Sequence, residues 1–172
     1  MSRSAEVRQL QQAWANGTVD ADPYAVVDEF AADAQIARNI LPMIGSDRTF
    51  NLNEMLASNI VASAYFKSLA VFTTFQEMVN EIKTHVDHVE PWSAGTQRVP
   101  STAFCILFKL CTLHATRNQM TRMLSAAGTP HVRGIGFLFL RFTAPFADLW
   151  GWFEPHVDNE EEFASAAAGG MT

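Results

Sequence analysis

Cysteine is scarce in this 172-residue chain, and the two present cannot form a disulfide framework. Cys105 and Cys111 share one apolar segment read as a helix, where six residues put them roughly 240° apart around the axis and about 9 Å along it, beyond bridging reach. Thiols without a framework fit a reducing compartment such as nucleus or cytosol. Long hydrophobic runs are also missing. AFCILF before Lys109 and GIGFLFL before Arg141 fall far short of the roughly 20 residues a bilayer span requires, and the opening MSRSAEVRQLQQAW has no apolar signal core. Neither a membrane span nor secretion is indicated. Charge is sparse at 17% of residues against 48% hydrophobic, which excludes the disordered class and points to one sizeable core. A chain of this length buries roughly 70% of its unfolded surface and needs no metal or disulfide to fold.

A further absence is local. No acid occurs between Glu90 and Asp148, while Arg98, Lys109, Arg117, Arg122, Arg133 and Arg141 lie there, so the interval carries +6 and the remainder, with 6 basic and 18 acidic residues, carries −12. The net −6 argues against a general electrostatic grip on nucleic acid. Two readings of the interval fit: arginines scattered over solvated helix faces, or a basic face for an acidic partner helix or an RNA backbone.

What is present is helical periodicity with caps. Val7, Leu10 and Trp14 make a short docking helix over 4–16 that stops at Gly17. Asp22 and Pro23 open a second helix, with Tyr24, Val27, Phe30, Ala34 and Ile40 inward, ended by Pro42 and Gly45. After a polar loop, Asn51 or Asn53 caps a helix with Met55, Leu56, Ile60 and Val61, and Ser63 interrupts before Tyr65, Phe66 and Leu69. Thr74 and Glu77 fit a capping box for a long helix with Phe75, Met78, Ile82 and Val86 or Val89 inward, closed by Pro91. PWSAGTQRVPST is a loop, and Ser101 or Thr102 then caps AFCILFKLCTLH, which is apolar on nearly every face except Lys109 and reads as the central buried helix.

Thr116 caps RNQMTRMLSAAG, with Met120, Met123 and Leu124 inward, and another helix begins just after Pro130. There Arg133 and Arg141 stand eight apart and emerge near one side, Phe137, Leu138 and Leu140 fill the core, and Gly134 and Gly136 permit close helix approach. FADLWGWFE is a short aromatic helix. The fold class is therefore all-α, a single compact domain of about seven to nine helices over residues 1–163, followed by a loosely ordered tail over 164–172.

Chemistry-bearing constellations are few. His85 and His88 on one helix and Cys111 and His114 on another have zinc-ligand spacing within each pair, yet the two pairs match no knuckle pattern, and the cysteines read as core. No G-x-S-x-G elbow presents a serine, and Gly134 with Gly136 lacks the third glycine and the strand of a dinucleotide loop. Glu160 to Glu162 read as a solvated charge run. No catalytic residue, metal or cofactor is assigned. Trp150 and Trp152, two apart on a helix, cannot both face one core, so at least one is partly exposed. Tryptophan beside arginine is the composition of a protein hot spot, of an aromatic closing the core edge, or of a base-stacking surface.

The segments FNLNEMLASNI, SAYFKSL, TTFQEMVNEIKTHVDHVEPW, STAFCILFKLCTL, TRNQMTRML and HVRGIGFLFLRFTAPFADLWGWFEPHVDNEEEF, in this order, resemble the pre-mRNA-splicing factor 38 family from Phe50 to Phe163, and the B-type members in particular. The resemblance implies an all-helical, noncatalytic protein-binding hub of the nuclear spliceosome, associated with the tri-snRNP and needed for activation. It also implies partners of two kinds, a zinc-finger splicing protein and a microfibrillar-associated-protein homologue, docking between helices of a chain monomeric on its own. Contact with small nuclear RNA would be indirect or weak, the alternative being direct RNA binding through the basic face of residues 91–147. Pro91, Trp92, Ser101 to Phe104, Arg133, Gly134, Gly136, Arg141 and Trp150 to Glu154 fall at matching positions. The candidate partner-binding residues are Trp92, Arg98, Arg117, Arg122, Arg133, Arg141, Trp150 and Trp152. The Arg/Ser-rich tail of many animal members and the Gly-rich insertion of some have no counterpart here, and neither departure removes the core domain.

Overall fold

A computed structural model describes residues 39–95, 97–162 and 165–166. The two helices expected over 4–16 and 22–40 lie outside the described residues but for the last two positions. Among the described residues there are seven α-helices and no strands: α1 Glu54–Ala62, α2 Ala64–Ser68, α3 Phe75–His85, α4 Thr102–Thr112, α5 Arg117–Leu124, α6 Pro130–Thr143 and α7 Phe146–Phe153. Single 3-10 turns follow α2 at Leu69–Val71 and α7 at Glu154–His156.

Five of the seven starts, those of α1 to α5, carry a local side-chain hydrogen bond that satisfies an otherwise orphaned amide. Asn53 rather than Asn51 caps α1, accepting from Met55 N and Leu56 N. Ser63 caps α2 and Ser101 rather than Thr102 caps α4. Both α3 and α5 open with reciprocal capping boxes, Thr74 with Glu77 and Thr116 with Gln119. Pro130 is itself the first residue of α6, where its missing N–H costs nothing. The third helix is shorter than its sequence suggests: it ends at His85, and Val86 turns extended five residues before Pro91. Val86 is still buried, carried inward by an extended segment rather than by a helical face.

The core is built around α4, which buries every residue from Ala103 to Leu107 together with Phe108, Leu110 and Cys111. A helix apolar all round must be covered all round, and α4 packs against α1, α2, α3 and α6. Phe108 is held edge-on by Phe50 at 5.0 Å and by Phe66 at 5.4 Å between ring centroids. Fully buried Ile60, Met78, Ile82, Met120, Ile135 and Phe139 complete the interior, each worth about 1.5–3 kcal/mol of apolar transfer. On α6 the core face is Val132, Ile135, Phe139 and Leu140; Phe137 and Leu138, expected inside, sit half-buried because they lie roughly 120–140° to either side of the middle of that stripe. Gly136 meets α5, since a Cβ there would lie 3.0 Å from Leu124 Cδ2 and 3.3 Å from Met123 Cγ. Gly134 instead borders a surface groove.

The last turn of α6 is closed from afar. Asn51 Nδ2 donates to Phe142 O at 2.6 Å and to Ile44 O at 2.8 Å, Asn51 Oδ1 accepts from Ser46 N at 3.2 Å, and Ile44 N donates to Thr143 O at 2.7 Å. Loop 44–51 thus supplies donors to carbonyls that a helix end leaves unpaired.

Candidate helix grooves and their arginines

The eight candidate partner-binding residues are divided among separate surfaces. Trp92 and Arg98 come together on the loop between α3 and α4. That loop closes on itself through Ser93 N to Val99 O at 2.9 Å and Ser101 N to Pro91 O at 3.0 Å, which also sets Ser101 to cap α4. Trp92 is half-buried against the core, and Arg98 is exposed with Nη1 2.8 Å from Met55 Sδ, while Asn59 Nδ2 donates to Arg98 O. With Asn53, Leu56, Pro91 and Gln97 they line a depression of about 600 Å³ beside α1.

Arg117 lies at the start of α5 with its guanidinium carbon 6.0 Å from the centre of the Trp152 ring, and Nη2 4.0 Å from Asp148 Oδ2. That ion pair is half-exposed at both ends and adds little by itself. Trp152 is half-buried and Trp150 is 64% exposed, as the two-residue spacing requires. Phe146, four residues before Trp150 and so on the same face of α7, is 88% exposed. Arg122 is exposed on a third surface, a groove of about 400 Å³ between α3, α5 and α6 floored by Phe75, Val79, Met123 and Val132 and rimmed also by Lys83.

Arg133 and Arg141 meet in the groove between α6 and α7, as their eight-residue spacing predicts. The groove holds about 430 Å³, with Phe137, Leu138 and Phe153 as its apolar part. Phe137 stacks edge-on against Phe153 and against His156, both at 5.4 Å, and so attaches α7 to α6. Arg141 lies exposed with its guanidinium carbon 5.9 Å from the Phe142 ring centre. Arg133 is only 13% exposed and is ion-paired to Glu161. The acidic stretch 160–162 is therefore not simply a solvated run: Glu161 returns to the basic helix. Sequence reasoning missed it because nothing local relates position 161 to position 133. Nearby, Val89 N donates to Ser165 O at 3.0 Å, so the described part of segment 164–172 is hydrogen-bonded to the body of the fold.

The cysteine and histidine pairs do not assemble. His85 is exposed and 3.8 Å from Glu81, His88 is buried with Nδ1 accepting from Glu90 N, and His114 is exposed. Burial pushes the Cys111 thiol up to about 12 and raises Cys105, the latter offset in part by its contact with Ser63. Among the described residues no group of three or more His, Cys, Asp or Glu is placed to hold a metal ion, and no helix is long and apolar enough to cross a membrane.

The described residues thus form an all-helical domain whose concave surfaces are grooves between helices, edged by arginine and aromatic side chains. Its particular kind follows from comparison: residues 41–170 match the PRP38 family, and the chain belongs to that family. It is 40% identical over 151 residues to human Pre-mRNA-splicing factor 38B, covering 77% of this chain and 28% of that protein. Identity to Pre-mRNA splicing factor SR-like 1 of Arabidopsis thaliana is 43% over 121 residues, covering 70% of this chain and 31% of the relative. The chain thus spans less than a third of the length of these relatives. A chain in the crystal structure of the Snu23-Prp38-MFAP1 complex of Chaetomium thermophilum shares the fold, with a TM-score of 0.63 at 20% identity over 70% of this chain and 63% of that one.

Proposed function

We propose that this protein is a noncatalytic protein-interaction scaffold of the nuclear spliceosome, associated with the tri-snRNP and required at spliceosome activation. Family membership carries the reading, and the solved relative's assembly with Snu23 and MFAP1 supports partners of those two kinds. Arg117 beside Trp152, and Phe146 with Trp150 exposed on another face of α7, supply the composition that anchors protein interfaces. Trp92 with Arg98, Arg122 in its apolar groove, and Arg133 with Arg141 provide three further places where a helix or extended segment could seat. The chain acts as a monomer that partners surround.

The test is tagged purification from nuclear extract at moderate and high salt, with and without nuclease, identifying copurifying proteins and small nuclear RNAs. Splicing proteins retained at high salt after nuclease support the scaffold. RNA recovered alone and lost at high salt replaces it with direct RNA binding through residues 91–147, because counterion release makes phosphate contacts strongly salt-dependent. Recovery of neither overturns both.

A further inference from the structure

The groove between α6 and α7 has two cations on one helix, an aromatic wall and a single acid, and that acid is this chain's own Glu161. Arg133 is nearly buried, and a guanidinium so placed needs a carboxylate partner. Arg141, eight residues and so about 12 Å further along the same helix, has no acidic partner among the described residues. The groove therefore has two places for carboxylates, and one is filled. The segment that fills it, Asp158 to Glu162, is held by the Arg133 pair, and beyond it Val89 N grips Ser165 O. Phe137, Leu138 and Phe153 leave apolar surface between the two guanidinium groups.

We infer that this groove is a receptor for an extended acidic peptide segment of a partner protein, in which Glu161 acts as an internal competitor that the partner displaces. Charge complementarity selects the occupant: an acidic segment places one carboxylate on Arg133 and a second on Arg141, which the chain's own segment leaves unmet. The inference deepens the scaffold reading by naming the chemistry of one partner site. Its failure is separable, since it is read on purified protein and leaves copurification from extract untouched.

The experiment uses the full chain and a fluorescein-labelled peptide, VDNEEE, copied from residues 157–162, with binding read by fluorescence anisotropy at low and moderate salt. Glu161→Gln should bind the peptide about tenfold more tightly than the unaltered chain, the scale of one charge-assisted hydrogen bond. Arg141→Gln in that background should lose about the same factor, and Arg133→Gln should lose more. A VDNQQQ peptide should not bind. Equal affinity of Glu161→Gln and the unaltered chain overturns the competition, and equal affinity with and without Arg141 overturns the site. Arg141 is exposed, so its replacement decides the matter even where Arg133→Gln lowers the melting temperature.

Discussion

Replacing Gly45 tests how the fold holds the end of α6, the helix that carries Arg133 and Arg141. Gly45 has φ +99°, and a Cβ there would lie 1.9 Å from Asn51 Oδ1 and 2.2 Å from Asn51 Nδ2. Gly45→Ala therefore acts twice. The left-handed backbone costs a residue with a Cβ about 1–2 kcal/mol, and the methyl drives the Asn51 amide off Ile44 O, Phe142 O and Ser46 N. Net hydrogen bonds are worth about 0.5–1.5 kcal/mol each, and because Asn51 is exposed a value toward the low end applies, about 0.7 kcal/mol each and so about 2 kcal/mol for the three. The expected loss is about 3–4 kcal/mol, or a melting temperature lower by about 10 °C for a chain of this size. Asn51→Gly keeps the φ of +62° accessible and removes only the side-chain bonds, so it should cost about 2 kcal/mol. The double variant should cost no more than Gly45→Ala alone, because the amide is already displaced in it. Urea unfolding followed by tryptophan fluorescence, with unchanged m-values, measures all three. If the single losses simply add to within about 0.5 kcal/mol, the two residues are uncoupled and the clamp is refuted.

Four further outcomes concern other parts of the fold. The Glu77 carboxylate is held below its ordinary range chiefly by its hydrogen bond with the Thr74 hydroxyl and then by the Thr74 and Thr73 amides. Its contribution is fully present above the unfolded carboxylate value and lost as pH falls through the lower folded one, so Glu77→Gln should flatten the acid limb of a stability-pH curve while leaving other carboxylates' slopes. Cys105 and Cys111 should react with a thiol reagent at pH 8 only as fast as the protein opens, since burial raises both; rapid labelling of Cys105 in native buffer would contradict the α2–α4 packing. Gly136→Val should cost about 1–3 kcal/mol by forcing α5 from α6, whereas Trp150→Ala should change stability by less than about 0.5 kcal/mol and still lower partner recovery from extract. Thermal melts and the purification assay distinguish the two.

Helix identity was legible because its causes are local. Thr74 with Glu77 and Thr116 announce helix starts through bonds that reach no more than a turn, and Pro130 announces one through its fixed φ. The all-apolar run at α4 marked the centre of the core for the same reason that oil-like surface must be covered. Where reading failed, competition between neighbours decided. Val86 could have extended α3 but is buried just as well from an extended segment, and Phe139 rather than Phe137 took the interior of α6 because orientation against α4 selects the stripe.

The candidate site divides in the same way. Residue type and spacing alone placed Arg133 and Arg141 on one side of a helix and required that Trp150 or Trp152 face solvent, since helical geometry relates positions a few turns apart. Order of motifs along the chain was enough to indicate the family. Tertiary structure alone decided that Arg117 meets Trp152 and Asp148, that Glu161 returns to Arg133, and that Asn51 closes a helix ending 91 residues later at Phe142 O. Those pairs are fixed by how α5, α6 and α7 pack, and a charge or an amide has no preferred distant partner until packing brings one within hydrogen-bond reach.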